Sequence, residues 1–166
     1  MLAVFCFGVL HGMLIAVALS VASAIRTFSR PVVKELGELG DTRNFVDREN
    51  HADARVHPGV LVLRPEEPLF FASVEGVLAD IKTRITARTD VRYLVLSLEE
   101  SMDIDSTAAE CTLDLAVILG RHDVRLLLAR TKNPVREVLL KLAPDTFRDK
   151  FFWSVADAVA DARAST

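Results

Sequence analysis

The sequence predicts an α/β domain with a mostly parallel or mixed sheet and flanking helices, preceded by one apolar helix of membrane-spanning length. Three observations carry this. Residues 1–25 contain no Asp, Glu, Lys or Arg, although charged residues make up 26 % of the 166-residue chain. From Pro58 onward, short β-rich runs alternate with stretches of helical period, the pattern of βαβ crossovers. The run Tyr93-Leu94-Val95-Leu96-Ser97-Leu98 is nearly continuous in apolar residues, as expected of a parallel strand covered on both faces.

The apolar segment comes first. About 20 apolar residues in a helix cross a hydrocarbon core of roughly 30 Å, and residues 1–25 suffice. A secretory signal would carry basic residues ahead of a shorter apolar core, and nothing basic precedes this one. A buried core helix is usually shorter and punctuated by polar residues. Gly8, Gly12, Ala16 and Ser20 recur every fourth position. That spacing either serves close helix–helix contact or reflects how common small residues are in membrane helices. Arg26, Arg30 and Lys34 follow, which places the C-terminal side in the cytoplasm by the positive-inside rule.

Residues 26–57 read as a juxtamembrane linker. Ser29-Arg30-Pro31 opens a short amphipathic piece through Leu36, ended by Gly37 and Gly40. Residues 41–57 are dense in charges and turn formers. Phe45 and Val46 form the lone apolar pair there, enough for a short edge strand. The compact domain is expected over residues 58–166, long enough to bury a core of its own.

Within that domain, Val60-Leu61-Val62-Leu63 is a short strand stopped by Pro65, and Leu69-Phe70-Phe71 reads as a second. Ser73 caps a helix whose apolar positions are Val74, Val77, Leu78, Ile81 and Ile85. The Tyr93–Leu98 strand follows. Ala108, Cys111, Leu115, Ile118 and Leu119 mark the next helix, ending at Gly120. Residues Val124–Ala129 form a strand. Asn133-Pro134 opens a helix with Val135, Val138, Leu139 and Leu142 inward. Ser154 and Asp157 have the spacing of a capping box for a last helix through about Arg163. Phe151, Phe152 and Trp153 pack that helix onto the domain or face a partner.

Few chemistries survive this reading. A net charge of -3 argues against a nucleic-acid binder relying on overall basic charge. Two cysteines, Cys6 and Cys111, are too few for a disulfide scaffold or a zinc knuckle. His11, His51, His57 and His122 lack ligand spacing, and no phosphate-binding loop, dinucleotide fingerprint or serine elbow is present. No metal, cofactor or enzymatic reaction is expected. One constellation invites a functional reading: Glu99, Glu100, Asp103, Asp105, Ser106 and Thr107, where the Tyr93–Leu98 strand gives way to a helix. Ligands gather at that edge of open α/β sheets, and a helix N-terminus favours anions. The plainer reading makes Asp105, Ser106 or Thr107 an N-cap and the carboxylates a wet surface loop.

The order of elements, with Asp105-Ser106-Thr107-Ala108 at the strand-to-helix junction, resembles a STAS domain. That module is shared by anti-sigma factor antagonists and the cytoplasmic ends of SulP anion transporters. The transporter branch is the more similar. Its last membrane helix resembles Gly8-Val9-Leu10-His11-Gly12-Met13-Leu14-Ile15-Ala16-Val17, followed by Ser29-Arg30-Pro31. Pro58–Arg64, Pro68–Ala72 and Leu94–Glu99 are also similar. In the antagonist branch the second hydroxyl of an Asp-Ser-Ser-Gly motif is phosphorylated. It maps onto Thr107, with Ala108 in place of the glycine. The resemblance therefore implies Asp105, Ser106 and Thr107 as a regulatory site, for phosphorylation or for partner or anion contact.

Three function classes follow. In the first, the chain is the C-terminal, membrane-anchored STAS segment of a SulP-type sulfate or anion transporter, regulatory or assembling and unable to transport alone. In the second, it is a membrane-tethered STAS switch that binds a protein partner. In the third, it is a nucleotide-binding or enzymatic α/β domain. The expected partners are the inner cell membrane, the remaining transmembrane helices of a transporter, a protein regulator and a second copy of the chain.

Overall fold

The computed structural model describes residues 2–28, 32–40 and 42–165, and within the first helix it describes side chains over residues 10–23. The chain divides into two units, Met1–Arg30 and Pro31–Thr166.

The first unit is a single helix, α1 (Leu2–Phe28). Its side chains Leu10, Met13, Leu14, Val17, Leu19 and Val21 are all exposed. Among the described residues no helix is long and apolar enough to cross a membrane. The ends of the expected span, residues 1–9 and 24–25, lie outside the described side chains.

The second unit is a six-stranded mixed sheet with helices on both faces. Its strands are β1 (Val33–Glu38), β2 (Phe45–Asp47), β3 (Val60–Pro65), β4 (Tyr93–Ser97), β5 (Arg125–Ala129) and β6 (Phe151–Phe152). They lie in the order β2-β1-β3-β4-β5-β6. β3 to β6 run parallel, while β1 is antiparallel to both β2 and β3. Helices α2 (Val74–Thr86), α3 (Ser106–Arg121), α4 (Asn133–Leu142), the short α5 (Pro144–Phe147) and α6 (Val155–Ala164) connect or follow them.

Strand alternation divides the core in two. Leu61, Leu63, Leu94, Leu96, Leu126 and Leu128 point to one face, where they meet Val77 and Ile81 of α2, Leu115 of α3 and Leu139 of α4. Val60, Val62, Tyr93, Val95 and Leu127 point to the other, covered by Val155, Ala158, Val159 and Ala162 of α6. All five β4 residues are buried, because a parallel strand covered on both sides has no solvent face. Gly59, at φ 74°, turns the chain into β3. Its carbonyl accepts from Arg92 N (2.8 Å) and Tyr93 N (3.0 Å), which registers β4 beside β3.

Several expectations need correction. The segment expected as a linker, residues 26–57, holds two strands. Val33 and Leu36 are buried, and β1 pairs along β3 from Val33↔Pro65 to Glu35↔Leu63. The charges that disguised it are used in ion pairs: Lys34 with Asp47 and Glu49, and Glu35 with Arg48 and Arg88. Gly37 is required by close approach, since a Cβ there would sit 2.9 Å from Ala54 Cβ. Of the expected amphipathic piece ending at Leu36, residues 33–36 are strand, and its start at Ser29-Arg30-Pro31 lies outside the described residues. Leu69-Phe70-Phe71, expected as a strand, is an irregular turn instead. The Ser73 hydroxyl holds that turn, donating to Pro68 O (2.8 Å) and accepting from Phe70 N (3.1 Å). Ser73 sits at the N-cap of α2 but makes no side-chain cap bond. Asn133 is the first residue of α4, and Lys132 occupies the N-cap. Leu142, expected inward, is 40 % exposed. Phe151 and Phe152 form the edge strand β6, and Trp153 stands 83 % exposed. The capping box at α6 forms as spaced: Ser154 Oγ accepts from Asp157 N (3.1 Å) and donates to Asp157 Oδ2 (2.7 Å).

Candidate functional site: the junction of β4 and α3

β4 delivers the chain to the C-terminal edge of the sheet, and α3 carries it away. The connection is not the wet loop that its four carboxylates suggest. Leu98, Ser101 and Ile104 are buried. Leu98 N donates to Ala129 O (2.9 Å), and Ser101 Oγ accepts from Leu69 N (3.0 Å). Buried anchors along the loop thus bind it to the body and leave the residues between them at the surface.

The four carboxylates go separate ways. Glu99 pairs with Arg130 at the end of β5 (2.6 Å). Asp103 accepts from Ile104 N (2.8 Å). Glu100 is exposed. Asp105 is the N-cap of α3, and both its oxygens are engaged. Oδ1 accepts from Ala108 N (2.8 Å), the expected cap bond. Oδ2 accepts from Phe71 N (2.7 Å), so the same side chain ties the turn before α2 to the first turn of α3. Among the described residues no group of three or more His, Cys, Asp or Glu is placed to hold a metal ion.

Ser106 and Thr107 are exposed in the first turn of α3, while Ala108 behind them is fully buried. The structure thus brings Asp105, Ser106 and Thr107 to one helix start but gives them different work: Asp105 is committed to the fold, and the two hydroxyl residues face solvent. Beside them lies a shallow depression of about 320 Å³ lined by Pro68, Leu69, Phe70, Met102, Ile104 and Asp105, among others. Phe71 and Met102, 68 % and 69 % exposed, stand near its rim. A hydroxyl-bearing helix start next to exposed apolar side chains is suited to contact with another protein.

Cys111, one turn further along α3, is half-buried. Burial first, then the Asp114 and Glu75 carboxylates, push its thiol up, the reverse of what a nucleophile needs. The feature that sequence reasoning missed is the convergence of Ser97, Glu99 and Arg130 where β4 and β5 end. Arg130 takes φ 55°, uncommon for a side-chain-bearing residue. The signal available was a basic residue directly after an apolar strand, Val124–Ala129, which alone says nothing of its partner.

Comparison with known proteins agrees with this geometry. A family model described as STAS domain matches residues 51–158. The probable sulfate transporter Rv1739c of Mycobacterium tuberculosis is 30 % identical over 164 residues, covering 95 % of this chain and 29 % of its own length. High affinity sulfate transporter 2 of Stylosanthes hamata is 30 % identical, with 90 % and 24 % covered. The chain thus spans about a quarter of the length of such relatives. Among solved structures, that of SLC26A9 overlays with a TM-score of 0.83 over 99 % of this chain and 29 % of that one, at 19 % identity. The unphosphorylated anti-sigma factor antagonist SpoIIAA overlays at 0.52 over 66 % of this chain and 93 % of its own, at 20 % identity. These last two likenesses concern the fold. With the family model matching well over half its residues, and with a mixed sheet that carries an Asp-capped helix after its central strand, the chain belongs to the STAS domain family.

Proposed function

We propose that this chain is the membrane-anchored STAS segment of a SulP-type secondary anion transporter, with a regulatory or assembly role and no transport activity of its own. One observation carries the reading. The similarity to named sulfate transporters covers 95 % of the chain, so it includes residues ahead of the STAS match that starts at residue 51. A STAS domain acting alone would have no reason to keep α1. The exposed apolar surface of α1 needs lipid or other helices to cover it. Arg26 and Arg30, which follow the uncharged run of residues 1–25 in the sequence, favour a cytoplasmic STAS unit in the inner membrane of a cell. The partners are then the remaining transmembrane helices, a second copy of the chain, or a regulator meeting the β4–α3 junction.

The experiment is fractionation and thiol labelling of the expressed chain. In a Cys6→Ser, Cys111→Ser background, Asn50→Cys places a single thiol at an exposed position. The chain is expected in the membrane fraction after carbonate washing, with the introduced thiol reacting with an impermeant reagent only after lysis. Recovery in the soluble fraction defeats the anchor, and labelling of intact cells reverses the topology. Sulfate uptake by cells expressing this chain alone would defeat the assignment as a non-transporting segment.

The exposed Thr107, on the helix start whose cap Asp105 also holds Phe71 N, supports a second reading. Here the unit is a tethered switch whose partner binds that junction, and a partner captured in the absence of any transporter favours it.

A further inference from the structure

We propose that a cavity between β2, the end of β4 and the first turn of α6 binds one small tetrahedral oxyanion, of the sulfate or phosphate class, through Arg43, Arg64 and Arg130 above the Ser97 hydroxyl. The cavity measures about 140 Å³. At about 30 Å³ per water in the liquid, that is room for a handful of waters or one small anion.

Its lining is rich in donors and poor in acceptors. Three guanidinium groups reach it from separate segments: Arg43 from the loop before β2, Arg64 from β3, and Arg130 from the end of β5. Asn44 and Ser154 add polar groups, and among the described residues Glu99 is the one carboxylate in the lining. Each guanidinium keeps a carboxylate on one edge: Arg43 with Asp157, Arg64 with Glu66 (2.7 Å) and Arg130 with Glu99 (2.6 Å). A guanidinium carries five N–H donors in a planar fork, and these contacts occupy only part of each. Each guanidinium is thus paired and the local charge is close to balanced, so an entering anion is held by the remaining guanidinium N–H donors and not by a net positive field.

The second, independent observation is Ser97. It ends β4, is 1 % exposed and lines the cavity, and its Oγ has no hydrogen-bond partner among the described residues. A buried hydroxyl without a partner is uncommon, and it is accounted for when the missing partner is a ligand. The N-terminus of the ten-residue α6 meets the same space at Ser154 and Val155. Its first-turn amides and dipole favour negative charge. None of this depends on α1 or on the transporter assignment, because every residue involved belongs to residues 31–166.

Calorimetric titration of the full chain in detergent micelles tests it. Sodium sulfate and sodium phosphate are the probes, with sodium chloride at matched ionic strength as the control. The parent is expected to bind one sulfate or phosphate per chain, with chloride giving no saturable heat. Binding of both names a general tetrahedral-oxyanion site, and binding of one alone names the anion. Arg130→Gln removes charge-assisted donors and should weaken binding about 10-fold or more. Ser97→Ala removes one neutral donor and should weaken it about 3- to 10-fold. Because the Ser97 hydroxyl has no hydrogen-bond partner among the described residues, that variant should melt in chloride at the parental temperature or above it, which keeps the test valid if Arg130→Gln fails to fold. Arg121→Gln, at the far end of α3, should bind as the parent does. Equal heats for sulfate, phosphate and chloride overturn the site. So does parental affinity in Ser97→Ala.

Discussion

Asp105→Ala is the substitution whose cost the structure specifies best. The carboxylate makes two bonds that close different loops. One caps α3 through Ala108 N at 2.8 Å, and the other holds Phe71 N at 2.7 Å across 34 residues of sequence. Loss of an Asp cap costs about 1 kcal/mol, within a range of roughly 0.5–2. A hydrogen bond to a charged acceptor contributes about 1.5–3 kcal/mol when well sheltered, and this one is near the surface, so about 0.5–1 is the fair figure. Asp105→Ala should therefore cost about 1.5–2 kcal/mol in all. Asp105→Asn retains an oxygen for the cap but turns an amide NH₂ toward the Phe71 N–H. It should lose the tether alone, about 0.5–1 kcal/mol. Urea unfolding of both variants at neutral pH separates the two contributions. At roughly 2–4 °C per kcal/mol for a unit of this size, the Ala variant should also melt about 3–8 °C lower. Amide exchange at Phe71 should speed up in both. The reasoning fails if the two variants lose equal stability, or if Asp105→Ala costs less than about 0.5 kcal/mol.

Three further outcomes follow from the same structure. A fragment of residues 31–166 should melt cooperatively, whereas residues 58–166 should not. Removing β1 takes buried Val33 and Leu36 with it, about 1.5–3 kcal/mol each, and strips β3 of its antiparallel neighbour; equal melts for the two fragments would sink this. Burial alone would push the Glu35 carboxyl up, but Arg88 and Arg48 outweigh it and hold it below the ordinary carboxylate range. A lowered folded-state value adds stability above the unfolded value of about 4.5 that is lost as pH falls through the folded one. Urea midpoints of the parent should accordingly fall more steeply from about pH 6 to about pH 3 than those of Glu35→Gln, and parallel curves would contradict it. Thr107→Glu should leave the fold intact, since the side chain is exposed and the cap belongs to Asp105. The same change should alter partner binding or regulated transport, and Thr107→Ala should not. Parental behaviour of Thr107→Glu in both assays would reduce the junction to a helix start.

Features that rest on contacts a few residues apart, or on burial of a whole element, were legible in the sequence. Tyr93–Leu98 announced a doubly covered strand because nearly every side chain on it had to be apolar. The capping box at Ser154 and Asp157 could be read, and the cap of α3 narrowed to Asp105, Ser106 or Thr107, because a helix start is satisfied by its own next three residues. The period of Val74, Val77, Leu78 and Ile81 marked the buried face of α2 for the same local reason.

Contacts between distant segments settle the rest. β1 reads as linker because Lys34, Glu35 and Glu38 interrupt its apolar pattern. Their partners, among them Asp47, Arg48, Arg88 and His57, lie 13 to 53 residues of chain away. Leu69-Phe70-Phe71 has strand composition, yet the Ser73 hydroxyl and Pro68 bend it into a turn, a choice made by one side chain's hydrogen bonds and not by propensity. The two residues of β6 are too few to carry any period and exist as strand only because β5 offers them an edge. Arg43, Arg64, Ser97 and Arg130 share no motif. The parallel order of β3, β4 and β5 carries the ends of separated segments to one edge of the sheet, and only that folded arrangement brings three arginines and a buried serine to the lining of one cavity.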